Sequence, residues 1–342
     1  MSVFDDSALD DAEALAGADA IVRRLAEAGS RVRRETADAA GPIERLSGFP
    51  RPRALVAAGS EARLIRAILE PVCPVPFVAW PHHGLPGWVG ALDLVVVMAS
   101  DVAPPAVVAT VHEAVRRGAM LLIACPAAST VAEHAAGSST VLVPTATADP
   151  LAAAVVVLDA LHRMALGPAV DPEAVASTMD DVARDCSPFV DVTENPAKDL
   201  ALCLADDQPL VWGGSTLAAR ASRRVAEALR AASGRAALAA DADALLPIVE
   251  ATTARDPFAD PFTDGPAADR RPCLVLLDDG NSAPIVRADH GRLVAAAERA
   301  DVRSSVIRHD RGSEVERYAA LLQTGMFAAV YLSVGLGRTH EA

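Results

Sequence analysis

The stretch LVWGGSTLAARASRRVAEAL at residues 210–229 contains a short apolar strand, a glycine pair and an amphipathic helix. The glycine pair indicates a tight turn, and Ser215 stands where a helix N-cap is expected. Apolar residues then recur every four positions, which is the period of one helical face: Leu217, Ala221, Val225 and Leu229. Free N–H groups at the start of such a helix, together with its dipole, favour a bound phosphate. The stretch therefore predicts either a phosphate site or a plain helix cap.

The same pattern occurs earlier in the chain. The stretch LVAAGSEARLIRAIL at residues 55–69 aligns with residues 210–224 without a gap. Gly59 then matches Gly214, and the serine that follows each glycine is also shared. The two halves are therefore expected to contain two copies of one α/β unit.

Strands and helices alternate on both sides of each copy, a pattern typical of an α/β fold with a parallel sheet. The predicted strands lie at 53–59, 75–80, 92–100, 119–125 and 139–144 in the first half, and at 209–213, 235–240, 271–279 and 302–309 in the second. We predict two doubly wound α/β domains with parallel sheets, preceded by an N-terminal helix. The expected boundaries are an N-terminal helical segment at 1–45, a first domain at 46–168, a linker with a helix at 169–208 and a second domain at 209–342.

The charge and the cysteine content argue against several classes of function. The 342-residue chain has a formal net charge of −14 and a single lysine, Lys198. This charge disfavours nucleic acid and anionic membrane surfaces as partners. The five cysteines are scattered without a C-x-x-C pair, as in reduced cytoplasmic proteins. Because the sequence shows no signal peptide and no uninterrupted apolar run of about 18 residues, we expect a cytoplasmic protein that does not span a membrane.

Common cofactor and metal motifs are missing from the sequence. The glycine turns match neither the P-loop pattern nor G-x-G-x-x-G, which disfavours a dehydrogenase. The adjacent histidines His82 and His83 have no cysteine or acidic cluster beside them. The aspartates of DPFADPFTDG at 256–265 lack the spacing of a calcium loop. The sequence therefore predicts neither a metal ion nor a cofactor.

Three features together resemble the sugar-isomerase (SIS) domain family. These are the Gly-Ser pair that opens the first helix, the apolar run LDLVVVMAS at 92–100 with a small polar loop after it, and the second such unit after a linker. The order of elements is most similar to the bifunctional phosphoglucose/phosphomannose isomerase branch. The resemblance implies a sugar-phosphate ligand and a homodimer, and it places the phosphate contacts at Gly59, Ser60 and Ser100. The family loop Ser-x-Ser-Gly-Asn-Thr falls on residues 98–103, where Asp101 replaces the glycine with a carboxylate that would repel a phosphate.

The catalytic pattern of the resembling family is largely replaced. Its isomerisation of an aldose to a ketose needs a carboxylate base and a histidine or lysine. The family glutamate falls on Ile248 in ALLPIVEATT at 244–253, which leaves Glu250 as the nearest candidate base. His290 lies where family members carry histidines, and the family's C-terminal lysine has no counterpart. Both candidates can equally be solvated surface residues.

Two functions remain open from the sequence. One is a divergent aldose–ketose isomerase of the glucose-6-phosphate/mannose-6-phosphate type. The other is a catalytically inactive SIS protein that acts as a phosphosugar sensor or a partner-binding scaffold, which the replaced residues favour.

Overall fold

A computed structural model describes residues 4–46, 48–59, 62–253 and 270–338. The chain forms two compact units. We call Ala28–Ser177 the first-sheet unit, and Met1–Glu27 together with Thr178–Ala342 the second-sheet unit.

The first-sheet unit contains a five-stranded parallel sheet in the order β2-β1-β3-β4-β5. Its strands are β1 (Leu55–Ala58), β2 (Phe77–Trp80), β3 (Leu94–Met98), β4 (Met120–Cys125) and β5 (Thr140–Pro144). Its helices are α3 (Ala28–Glu44), α4 (Ala62–Leu69), α5 (Pro105–Arg116), α6 (Thr130–His134) and α7 (Pro150–Arg163). Helices contact both faces of this sheet, so the central strands are apolar on both sides.

The second-sheet unit contains a four-stranded parallel sheet in the order β7-β6-β8-β9. Its strands are β6 (Gln208–Gly213), β7 (Leu238–Ala239), β8 (Pro272–Asp278) and β9 (Arg303–Arg308). Its helices are α1 (Ala12–Ala16), α2 (Asp19–Ala26), α9 (Pro196–Cys203), α10 (Thr216–Ser233), α11 (Ala242–Glu250), α12 (Pro284–Arg299) and α13 (Glu314–Gly335). The boundary between the two units falls within helix α8 (Pro172–Asp185). The predicted doubly wound α/β fold is confirmed.

The N-terminal region differs from the single helix that the sequence predicts. A short 3-10 helix (Asp6–Leu9) precedes α1, and separate helices α1, α2 and α3 follow. The chain leaves α1 at Gly17, and Glu27 is the C-cap of α2. The apolar period continues across these breaks, which is why the sequence reads as one helix. The linker likewise holds two helices, α8 and α9.

Helix α13 is the most buried helix of the second-sheet unit. It begins with a capping box, in which Ser313 and Glu316 bind each other's backbone N–H groups. Among the described helices, α13 is long and apolar enough to cross a membrane, but 89% of its most apolar window is buried inside the fold. A core helix of a folded domain has this same composition.

Candidate functional site

The order of the strands places the candidate site between β1 and β3. The chain passes from β1 to β2 on one side and then returns to β3 on the other, so β1 and β3 lie at a topological switch point. Ligands of open α/β sheets bind beyond the carboxyl ends of the strands at such a point. Ala58 pairs with Val97, so the segments after the two strands begin side by side. Gly59 and Ser100 lie in these segments.

Gly59 and Ser100 line one cavity of about 270 Å³, which we call the switch-point cavity. The other lining residues are Ala58, Pro81, His82, His83, Val97, Met98, Ala99, Pro104, Ala106, Val107 and Thr110. Two exposed histidines are thus its only ionisable lining residues among those the structure describes. Among the described lining residues, none is a carboxylate that would repel an anionic ligand.

The backbone at Gly59 accounts for the glycine in this turn. Its φ angle is +95°, a conformation that strains residues with a side chain. The Gly59 N–H donates to the Trp80 carbonyl at 3.3 Å, and the Gly59 carbonyl accepts from Ala62 at the start of α4. Ser60, the third predicted phosphate contact, lies outside the described residues.

Ser100 is exposed and belongs to a short polar loop. Its hydroxyl donates to the carbonyl of Val102 at 3.2 Å. Asp101 beside it is also exposed. A second cavity of about 130 Å³ shares Ser100 and is lined further by Met98, Ala99, Thr145, Ala148, Asp149, Pro150 and Ala153. The loop that follows β5 therefore forms part of the surroundings of Ser100.

A buried carboxylate already occupies the backbone N–H groups of the loop after β5. Glu35 of α3 is fully buried. It accepts hydrogen bonds from Ala146 N at 2.9 Å, Thr147 N at 2.6 Å and Thr147 Oγ1 at 2.5 Å. Glu35 was not among the residues predicted from the sequence, although its spacing from Val32 and Ala39 places it on the apolar face of α3. These loop N–H groups are therefore bound to an anion supplied by the chain itself.

In the second-sheet unit, a carboxylate also occupies the glycine turn before α10, at Gly213 and Gly214. Ser215 is the N-cap of α10 and accepts a hydrogen bond from Ala218 N at 3.0 Å. Its hydroxyl donates to the carboxylate of Asp279, which is buried just after β8. A Cβ on Gly213 would collide with the backbone of Ala218, so glycine is needed where α10 approaches β6. This turn is therefore a helix cap closed by an internal acid.

The two halves differ at one matched position. Leu277 pairs with Gly213 in the second sheet, just as Val97 pairs with Ala58 in the first. Two residues further along, Asp279 therefore corresponds to Ala99. The first-sheet unit has a methyl group where the second-sheet unit has the carboxylate that closes the helix cap.

The two candidate catalytic residues lie at different ends of their helices. Glu250 is the last residue of α11, where its carboxylate is 3.6 Å from the guanidinium of Arg299. His290 lies in the first half of α12, with its ring 6.0 Å from that of Trp212. Nine residues of helix separate His290 from Arg299, which is about 13 Å along the axis. The structure therefore does not bring Glu250 and His290 together.

Comparison with known proteins identifies the family of the second half. Residues 193–339 match the family model of the bacterial phospho-glucose isomerase C-terminal SIS domain. This segment of the chain therefore resembles a SIS domain. A comparison with curated proteins gives no match.

Several solved structures share the fold of this chain. A glucose-6-phosphate isomerase-like protein from Thermus thermophilus is 18% identical with a TM-score of 0.51, over 90% of this chain and 94% of the other. The C-terminal domain of glucosamine-fructose-6-phosphate aminotransferase from Francisella tularensis is 9% identical with a TM-score of 0.63, over 92% and 95%. A proposed phosphosugar isomerase from Silicibacter pomeroyi is 16% identical with a TM-score of 0.60, over 90% and 95%. At these identities the likeness shows a common fold.

Within residues 4–46, 48–59, 62–253 and 270–338, no three His, Cys, Asp or Glu side chains are grouped so that they could hold a metal ion. The described chemistry of the switch-point cavity therefore consists of backbone groups, hydroxyls and imidazoles.

Proposed function

We propose that this protein binds a phosphorylated sugar in the switch-point cavity, with Gly59, Ser60 and Ser100 beside the phosphate. The Gly59 N–H already donates to the Trp80 carbonyl, so Gly59 would shape the turn and the two serine hydroxyls would supply the hydrogen bonds. The location at the β1/β3 switch point supports a ligand site there. The class of ligand follows from the solved structures with the same fold, whose names refer to phosphosugar isomerases and to glucose 6-phosphate. The contribution of Ser60 rests on the sequence alone.

The observation that carries this proposal is the difference between Ala99 and Asp279. In the second-sheet unit, Asp279 takes the place that an anion would occupy at the start of α10. In the first-sheet unit, the matching Ala99 lines the cavity and leaves the start of α4 without a carboxylate at that position. One unit is thus suited to an external anion, while the other supplies its own.

We further propose that isomerase activity is absent or very weak. Proton transfer between C1 and C2 of the sugar needs a carboxylate within hydrogen-bond reach. Glu250 is paired with Arg299 at the C-terminal end of α11, and Ile248 replaces the family glutamate. The function would then be that of a cytoplasmic phosphosugar sensor or scaffold acting as a homodimer.

Calorimetric titration with glucose 6-phosphate and mannose 6-phosphate tests the binding proposal. Ala99→Asp would place a carboxylate where Asp279 stands in the other unit, and Ala99→Asn is the uncharged control of similar size. Two like charges about 4 Å apart at a protein surface repel by roughly 4 kcal/mol, so Ala99→Asp should weaken binding at least tenfold. Equal affinities of Ala99→Asp and Ala99→Asn would place the ligand elsewhere.

A coupled isomerase assay on the same two hexose phosphates tests the catalytic part. Enzymes typically turn over at about 1–10³ per second. We expect a rate far below this range for the unmodified protein, together with measurable binding. A turnover near one per second would contradict the proposal of a sensor or scaffold and would make Glu250 the next residue to replace.

A further inference from the structure

Three arginines line a cavity in the second-sheet unit, at the opposite edge of the sheet from the helix cap of Ser215. The cavity has a volume of about 430 Å³ and is lined by Ser233, Gly234, Arg235, Ala236, Arg270, Leu336 and Arg338. We call it the arginine pocket. Arg235 follows the C-terminal end of α10, Arg338 follows that of α13, and Arg270 precedes β8. Helix ends and strand starts share one edge of a parallel α/β sheet, so this site is built at the amino edge.

The three guanidinium groups are held by backbone carbonyls. Arg235 donates to the carbonyls of Leu204 at 3.0 Å and Ala205 at 2.6 Å. Arg270 donates to the carbonyl of Asp206 at 2.9 Å, and Arg338 donates to that of Ser233. In the part of the chain that the structure describes, no carboxylate forms an ion pair with any of the three. Each guanidinium has five N–H donors, so most donors are left for another acceptor.

The backbone shows that the positive groups converge. Gly234 has a φ angle of +64°, and a Cβ there would collide with the guanidinium of Arg338. The glycine thus lets Arg338 lie directly over the end of α10, next to Arg235. Burial lowers the pKa of Arg235, and the charges of Arg270 and Arg338 lower it further. The three arginines therefore lie close enough together to create a positive potential at this place, although the net charge of the chain is −14.

Two aspartates lie close enough to Arg235 to offset part of this charge. Asp207 is buried and pairs with Arg303 at 2.8 Å, so its charge is balanced there. Asp206 is exposed and gives its carbonyl to Arg270. Counted over residues 4–46, 48–59, 62–253 and 270–338, three arginines against one carboxylate leave the arginine pocket positive by about two charges, which suits a doubly charged phosphate. Guanidinium groups also match phosphate oxygens by paired hydrogen bonds.

We propose that the arginine pocket is a second anion site, which binds the phosphate or pyrophosphate group of a small molecule through Arg235, Arg270 and Arg338. The volume of about 430 Å³ and the net charge of −14 favour a small ligand over a nucleic acid. The site lies at the opposite sheet edge from the helix cap of Ser215, so it is separate from the turn that Asp279 closes.

The test uses inorganic phosphate and pyrophosphate as probes, titrated calorimetrically into the full chain carrying Ala99→Asp. This background removes the switch-point cavity as a competing site, so a failure here is separate from a failure of the proposed function. Sodium chloride at equal ionic strength is the control for general screening. We expect one pyrophosphate per chain to bind more tightly than phosphate. Heat that the sodium chloride control reproduces, or no binding at millimolar pyrophosphate, would overturn the proposal.

Single arginine replacements then locate the bound pyrophosphate. Arg338→Gln and Arg270→Gln each remove one charge at the rim of the pocket and should weaken pyrophosphate at least tenfold. Arg223→Gln removes the same charge from an exposed position on α10 and should change the affinity less than twofold. Circular dichroism checks that each rim variant is folded, and the second variant still tests the site if the first one is not. Equal effects of Arg223→Gln and the rim variants would show that only net charge matters and would overturn the site.

Discussion

Replacement of Glu35 by glutamine should destabilise the first-sheet unit, although the two side chains have the same shape. The carboxylate accepts from Ala146 N, Thr147 N and Thr147 Oγ1 inside the protein. In Glu35→Gln, the amide oxygen can take the place of Oε1, which all three donors share, but it carries no full charge. The NH₂ group then faces the Ala146 N–H that in the unmodified protein also donates to Oε2, and its own N–H groups are buried without an acceptor.

The expected loss can be worked out from these contacts. Hydrogen bonds to a charged group contribute about 1.5–3 kcal/mol, against about 0.5–1.5 for neutral pairs, so three donors lose roughly 3 kcal/mol in total. A buried donor without an acceptor costs about 1–3 kcal/mol more, and relief from burying a charge offsets part of this. We expect the free energy of unfolding to fall by about 2–4 kcal/mol.

Urea unfolding followed by tryptophan fluorescence measures this loss. A Trp212→Phe background leaves Trp80 and Trp88, which both belong to the first-sheet unit, as the reporters. Glu44→Gln makes the same chemical change at an exposed position of α3 and serves as the matched control. If Glu35→Gln costs no more than Glu44→Gln, the internal anion does not hold the loop after β5, and our interpretation of this loop is wrong.

Four further outcomes are expected. Ser60→Ala should weaken glucose 6-phosphate binding by about tenfold to a hundredfold in calorimetry, because a hydrogen bond to a charged group is lost; an unchanged affinity would exclude Ser60 from the site. Ser215→Ala should lower the stability of the second-sheet unit by about 1–2 kcal/mol in urea unfolding followed by Trp212, since both the helix cap and the partner of a buried carboxylate disappear; an unshifted midpoint would contradict this. Hydrogen peroxide should oxidise Cys203 and Cys273 to a disulfide, taking two electrons from the two thiols and forming two waters. We expect this pairing because the two Sγ atoms lie 3.1 Å apart and the hydrogen bond from Cys273 lowers the pKa of Cys203. Peptide mapping that found another pairing among the five cysteines would refute this expectation. Sedimentation at micromolar concentration should show a homodimer, and a monomer alone would count against it.

The fold class could be predicted from the sequence because it depends on local patterns. Apolar runs of strand length, helical periods and the glycines of the turns all lie within a few residues of each other. The repeat at residues 55–69 and 210–224 placed both glycine turns correctly after β1 and β6. The breaks in the N-terminal helix could not be predicted in this way, because the apolar period runs across them.

The sequence alone also determined which residue types the chain can use: it has isoleucine at position 248 and a single lysine, Lys198. Only the tertiary structure decided which turns are already bound to an acid of the chain itself. Glu35 reaches the loop after β5 from 111 residues away, and Asp279 reaches Ser215 from 64 residues away. The alignment of the two halves treats the turns at Gly59 and Gly214 alike, since a sequence shows the groups that donate hydrogen bonds and not the distant residues that accept them. Which acid meets which turn depends on the order of strands in the sheet, and that order is a property of the folded chain.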